Sequence, residues 1–207
     1  MNKTKVAEIF NILTQNIKNP TSELNYHNLF TLLVAVVLSA QATDSGVNKA
    51  TANLFSIIKT PQDILNLGED ALIENIKSIG LYKSKAKHIM QTSAILVNEY
   101  QGEVPNTLEK LIKLPGVGRK TANVVLNVYF NQPTMPVDTH IFRLSHRIGL
   151  SNGKDVLQVE KDLLKIIPKQ YLQKAHHLLI LHGRYICKAK KFDCNTCCIN
   201  KLCEKNF

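Results

Sequence analysis

Cysteine is absent from the first 186 residues of this 207-residue chain, and all five, Cys187, Cys194, Cys197, Cys198 and Cys203, fall within 17 residues. An odd count crowded at one end argues against a disulfide framework and for a metal site. No leader is expected either: Met1-Asn2-Lys3-Thr4 runs into an amphipathic pattern, not an apolar signal core. The longest apolar run, Leu29 to Ala40, is broken by Thr31 and Ser39. It is too short to cross a bilayer and predicts a buried helix. A cytoplasmic protein with no membrane partner is the expectation. Sustained alternation of apolar and polar residues is also lacking, so the expected fold class is all-α. Acidic residues are scarce: 16 Asp and Glu against 26 Lys and Arg leave a net charge of +10. That balance points to a polyanionic partner. Hydrophobic content of 44% is ordinary for a chain that builds a real core.

Helical spacing organises what is there. Val6, Ile9, Phe10, Leu13 and Ile17 predict a helix over 4–18 that ends at Asn19-Pro20. The buried helix 29–40 is followed by an apolar face of Val47, Ala50, Leu54, Ile57 and Ile58, which stops before Pro61. Short helices are expected at 61–67 and 70–77, a longer one from Ser84 to Glu99, and a short one capped by Asn106. Further helices follow from Asp138 to Ile148, over 156–166 and over 172–186. Phe130-Asn131-Gln132-Pro133-Thr134-Met135-Pro136, with two prolines, is the best domain boundary. It divides the chain into 22–132, and 1–21 with 133–207, because the first helix otherwise lacks a partner.

The central stretch is Leu114-Pro115-Gly116-Val117-Gly118-Arg119-Lys120-Thr121-Ala122-Asn123. Pro115 cannot continue a helix, while Gly116 and Gly118 permit positive φ and close backbone approach. A helix without a breaker follows, so the turn presents backbone N–H groups at a helix start, where phosphate oxygens bind. An ordinary interhelical turn would use similar residues. Ile79-Gly80-Leu81-Tyr82-Lys83-Ser84-Lys85-Ala86 echoes the pattern, and both turns present backbone and positive charge.

Lys120 lies in the first turn of that helix. A lysine attacks carbon only as the neutral amine. Desolvation, a neighbouring cation such as Arg119 and the positive end of a helix dipole all favour that form. Position alone favours a lysine that only binds phosphate. Asp138 follows 18 residues on, in Pro136-Val137-Asp138-Thr139-His140. An aspartate directly before a helix is a good N-cap. A carboxylate near a reacting sugar would also stabilise oxocarbenium-like charge and take a proton from an incoming amine. His140 and Arg143 could touch phosphate or sit on a solvated helix face.

The cysteines read Cys187-x6-Cys194-x2-Cys197-x5-Cys203. Zinc takes four thiolates, usually as two Cys-x2-Cys pairs, and only one such pair exists here. Cysteine-only ligation also suits a [4Fe–4S] cluster. Residues 182–207 carry six Lys and Arg against Asp193 and Glu204, a net of 6 − 2 = +4. Folding this loop would aim Lys188, Lys190 and Lys191 at phosphates.

The hairpin, the segment around Asp138, the cysteine spacing and Leu38-Ser39-Ala40-Gln41-Ala42-Thr43-Asp44 together resemble the endonuclease III family of DNA glycosylases. The resemblance spans essentially the whole chain. It implies the helix-hairpin-helix glycosylase fold: a six-helix domain, a helical domain with a [4Fe–4S] cluster, and a DNA cleft between them. It implies that Lys120 is the nucleophile, that Asp138 is catalytic, and that Cys187, Cys194, Cys197 and Cys203 hold the cluster. Cys198 departs from the family pattern and reads as a spare thiol. Gln41 matches the loop that fills the gap left by a flipped base, Leu81 the wedge residue, and Gly116, Gly118 and Arg119 the phosphate-binding turn. The implied partner is damaged double-stranded DNA, bound by a monomer, with oxidised pyrimidines and abasic sites as substrates. The related adenine mismatch glycosylase lacks the hairpin lysine and continues into a further domain. A DNA-binding module with a zinc-stabilised tail is the alternative of a different class.

Overall fold

The computed structural model describes every residue from Met1 to Phe207, and its regular structure is helical throughout. Eleven helices follow in order: α1 (Lys3–Asn16), α2 (Leu29–Leu38), α3 (Asp44–Ile57), α4 (Pro61–Leu67), α5 (Glu69–Ile76), α6 (Tyr82–Tyr100), α7 (Leu108–Leu111), α8 (Arg119–Val128), α9 (Thr139–Ile148), α10 (Val156–Ile166) and α11 (Lys169–Tyr185). None is long and apolar enough to cross a membrane.

The chain divides into two units, Ser22–Phe130 and a second made of Met1–Thr21 with Asn131–Phe207. In the first, α2 is the central post. Its residues from Phe30 to Leu38 are all buried, so it is apolar on every side. Asn28 caps it by accepting from the Thr31 amide at 2.9 Å, in a reciprocal capping box. Around it pack α3, α6 and α8, while α4 and α5 cover α6, and the single-turn α7 leans on α8. Leu54, Ile64, Leu72, Ile76, Leu96 and Val125 complete this core. In the second unit α11 is the spine, with α1 and α9 against it and α10 against α9. The first helix finds its partner there, through Val6, Ile9, Phe10 and Leu13.

Helix ends depart from expectation where polar side chains intervene. The α2 helix stops at Leu38, because the Ser39 hydroxyl bonds back to the Val36 carbonyl at 2.8 Å and the chain turns left-handed at Gln41. Thr43 then caps α3, accepting from Gly46 N–H at 3.2 Å, so Asp44 becomes its first residue. Helix α6 starts two residues early, at Tyr82, with Leu81 left-handed before it. Thr107, not Asn106, stands at the N-cap position of α7.

Candidate functional site

The hairpin joins α7 to α8. Leu114 and Val117 are buried and plug the turn into the core. The Val117 amide closes it by donating to the Leu114 carbonyl at 3.0 Å. The two glycines do different things. Gly116 is left-handed at φ +76°, and a Cβ there would stand 2.9 Å from Cβ of His88. Gly118 has ordinary extended geometry, φ −82° and ψ 173°, and a Cβ would meet nothing within 4 Å. The expected positive φ therefore holds for Gly116 alone. Gly118 is the N-cap of α8, which no side chain caps. Arg119 and Lys120 open the helix and are exposed. An uncapped helix start flanked by two cations is a ready anion site. Lys120 lies in the first turn of α8, where the helix dipole is positive.

A second pair of exposed residues lies in the same unit. Gln41 and Leu81 both have left-handed backbones, at φ 55° and φ 60°. Neither residue type favours that region, which costs about 1–2 kcal/mol. Leu81 is nonetheless 61% exposed, so core packing does not compensate the strain.

Sequence reasoning missed Lys85. It is only 5% exposed, and its Nζ donates to the Leu38 carbonyl at 2.9 Å and the Ala40 carbonyl at 2.6 Å. Burial pulls its ammonium below the ordinary lysine range. The available signal was the echo between residues 79–86 and the hairpin, together with helix phase: Lys85 adjoins the buried Ala86 and precedes Ile89 by four residues. One turn further along α6, His88 lies under Gly116, and the Thr92 hydroxyl donates to the Pro115 carbonyl at 2.9 Å.

In the other unit, Asp138 caps α9, with Oδ1 accepting from the Ile141 amide at 2.8 Å. Arg143 is engaged within its own unit. Its Nη2 donates to the carbonyls of Gly183 and Cys187 at 2.9 and 3.0 Å, and burial lowers its guanidinium from the usual value. It staples α9 to the end of α11.

Cys187, Cys194, Cys197 and Cys203 all line one hollow, together with Arg147, His182, Ile199 and Phe207. Cys198 is exposed and does not line it, as a spare thiol would be placed. Nη1 of Arg147 lies 3.5 Å from the Cys187 sulfur and donates to the Lys188 carbonyl at 2.8 Å. The same guanidinium rests 4.3 Å from the Phe192 ring centre. Nε2 of His182 is 3.6 Å from the Cys197 sulfur. Burial pushes the Cys197 and Cys203 thiols up from the ordinary thiol range. Lys188, Lys190 and Lys191 are exposed on the loop between the first two cysteines.

The model for HhH-GPD superfamily base excision DNA repair proteins matches residues 34–169. Endonuclease III of Rickettsia conorii is 58% identical over 202 residues, covering 98% of this chain and 96% of that protein. Endonuclease III of Escherichia coli K12 is 53% identical over 204 residues, covering 99% and 97%. A solved structure of a trapped endonuclease III–DNA covalent intermediate matches with a TM-score of 0.93 at 44% identity, covering 100% of this chain and 97% of that one. By the extent of these matches, the chain belongs to the endonuclease III family of the HhH-GPD superfamily of base excision DNA repair proteins.

Proposed function

We propose that this protein is a bifunctional DNA glycosylase and abasic-site lyase of base excision repair, acting on oxidised pyrimidines in duplex DNA. The observation that carries the reading is its near full-length likeness to endonuclease III, including a form trapped covalently on DNA. In this reading the Lys120 amine attacks C1′ of a flipped nucleotide, and the base departs with the electrons of the glycosidic bond. Asp138 takes a proton from the incoming lysine and stabilises the cationic sugar. The imine left on the opened sugar acidifies C2′, and loss of that proton expels the 3′ phosphate by β-elimination. Because Lys120 is exposed, its desolvation would come from the bound nucleotide. The uncapped start of α8 at Gly118, with Arg119, would hold the phosphates. Gln41 and Leu81 would fill the vacated stack.

What supports a [4Fe–4S] cluster is the all-cysteine donor set, with Cys187, Cys194, Cys197 and Cys203 bordering one hollow. Bound there, the cluster would cross-link the loop that carries Lys188, Lys190 and Lys191. The expected partner is damaged double-stranded DNA bound by a monomer in the cytoplasm.

Lys120→Ala is expected to abolish the borohydride-trapped complex with abasic duplex while the variant still binds that DNA. Trapping that survives would refute Lys120 as the nucleophile. Visible absorbance with iron analysis tests the cluster, and a colourless protein with one zinc would favour the binding-module alternative.

A further inference from the structure

Three loops of the Ser22–Phe130 unit rest on one helix. At its start, α6 receives the chain from Leu81. One turn in, Lys85 reaches the end of α2. One and two turns further, His88 and Thr92 hold the hairpin turn. Positions 85, 88 and 92 follow helical spacing and share a face. We propose that Lys85 is a positioning residue that sets Gln41 and Leu81 as a matched pair for occupying the gap left by an extruded nucleotide.

Lys85 is joined to both loops at once. Its own amide donates to the Leu81 carbonyl at 3.0 Å. Its ammonium bridges the carbonyls of Leu38 and Ala40, the latter adjacent to Gln41. The last turn of α2 holds no basic residue of its own, so Lys85 supplies the cation that the carbonyl end of that helix favours. Burying an ammonium is costly, and a methionine would fill the same space without that penalty. What the charge adds is a fixed separation between two left-handed, exposed residues. A left-handed backbone at Gln41 and at Leu81 persists only where neighbours over-determine it, and Lys85 is the neighbour they share.

The inference rests on the proposed glycosylase reading, and its test separates the two. Base release is measured from a duplex with one ring-saturated thymine, and nicking from a duplex with one preformed abasic site. An abasic nucleotide leaves the stack cheaply, whereas a base-bearing one needs the gap filled. Lys85→Met is expected to lower base release at least tenfold and nicking less than threefold. In a Gln41→Ala/Leu81→Ala background the same change should add less than twofold, since the residues it acts through are gone. With no DNA present, amide exchange over 39–43 should quicken in the variant. If Lys85→Met does not fold, the same ratios are read in Lys85→Gln, which keeps a donor. Equal losses on both substrates, full additivity in the double-substituted background, or unchanged exchange over 39–43 would overturn the proposal. A wild-type protein that neither releases the base nor nicks abasic DNA would instead sink the glycosylase reading, and the exchange measurement would still judge the clamp.

Discussion

Replacing each hairpin glycine by alanine should separate folding from DNA binding within one turn. At Gly116 the backbone is left-handed and a new methyl would stand 2.9 Å from Cβ of His88. Left-handed alanine costs about 1–2 kcal/mol, and relieving the contact adds a comparable amount, for roughly 2–4 kcal/mol in all. For a chain of this size that lowers the melting temperature by about 5–12 °C. Gly118 is extended, and its Cβ would point into open space. Alanine at an N-cap costs below about 1 kcal/mol, partly offset by a stiffer unfolded chain, so the melting temperature should move by less than about 3 °C. In the proposed reading, the methyl would stand where a phosphate reaches the helix start. Loss of one charge-assisted bond there, about 1.5–3 kcal/mol, weakens binding roughly ten- to hundredfold. Thermal melts and titration of a labelled duplex with an abasic analogue, at one fixed salt concentration, read both quantities. Gly118→Ala that melts as low as Gly116→Ala yet binds like the wild type would refute the division of labour.

The same separation applies to Asp138. Asparagine caps a helix about as well as aspartate, so Asp138→Asn should keep the bond to the Ile141 amide and the melting temperature. Base release should fall at least a hundredfold, and a variant retaining full activity would remove the carboxylate from the mechanism. At the thiol hollow, Cys194→Ser should lose iron and visible absorbance, whereas Cys198→Ser should keep both, since Cys198 does not line it; equal losses would contradict this ligand set. Burial, with Arg184 as the second cause, pulls His177 down to about 4. Its unfolded value is near 6.5, so on going below that pH the unfolded chain takes a proton that the folded one refuses. Stability is then lost between about pH 6.5 and 4 and levels off below, by at most roughly 3.5 kcal/mol. His177→Leu should flatten that part of the pH profile, and identical profiles would show that another group titrates.

Local signals carried much of the architecture. The apolar spacing of α1, α3 and α10 was readable because each buries one face, as was α2 because it buries every face. The hairpin and the thiol loop were readable because their residues are close in sequence. What escaped depends on contacts across long separations. Lys83, Lys85 and Lys87 look alike in the sequence, yet Lys85 alone of the three is buried, because the carbonyls of Leu38 and Ala40 lie over it. Arg143 stands in a helix with basic neighbours, and only the end of α11 makes it a staple. Gly116 and Gly118 are chemically identical, and the difference lies in His88.

That difference also argues for where the DNA-facing surface lies. A residue kept by folding leaves a trace inside the protein: Gly116 has its positive φ and the His88 contact, and Lys85 has its two carbonyls. Gly118 leaves none, since any residue could adopt its φ and space surrounds it. Leu81 goes further, holding a strained backbone while exposing an apolar side chain to water. Leu81 does not lower the free energy of the isolated chain, and at Gly118 the N-cap preference over alanine is below about 1 kcal/mol. Both become favourable if a phosphate approaches Gly118 and a vacated base stack receives Leu81, because each then gains a contact that the folded protein alone lacks. A leucine that holds a strained backbone and still stays 61% exposed is therefore stronger evidence for an external partner than any of the exposed lysines, whose place in water needs no explanation.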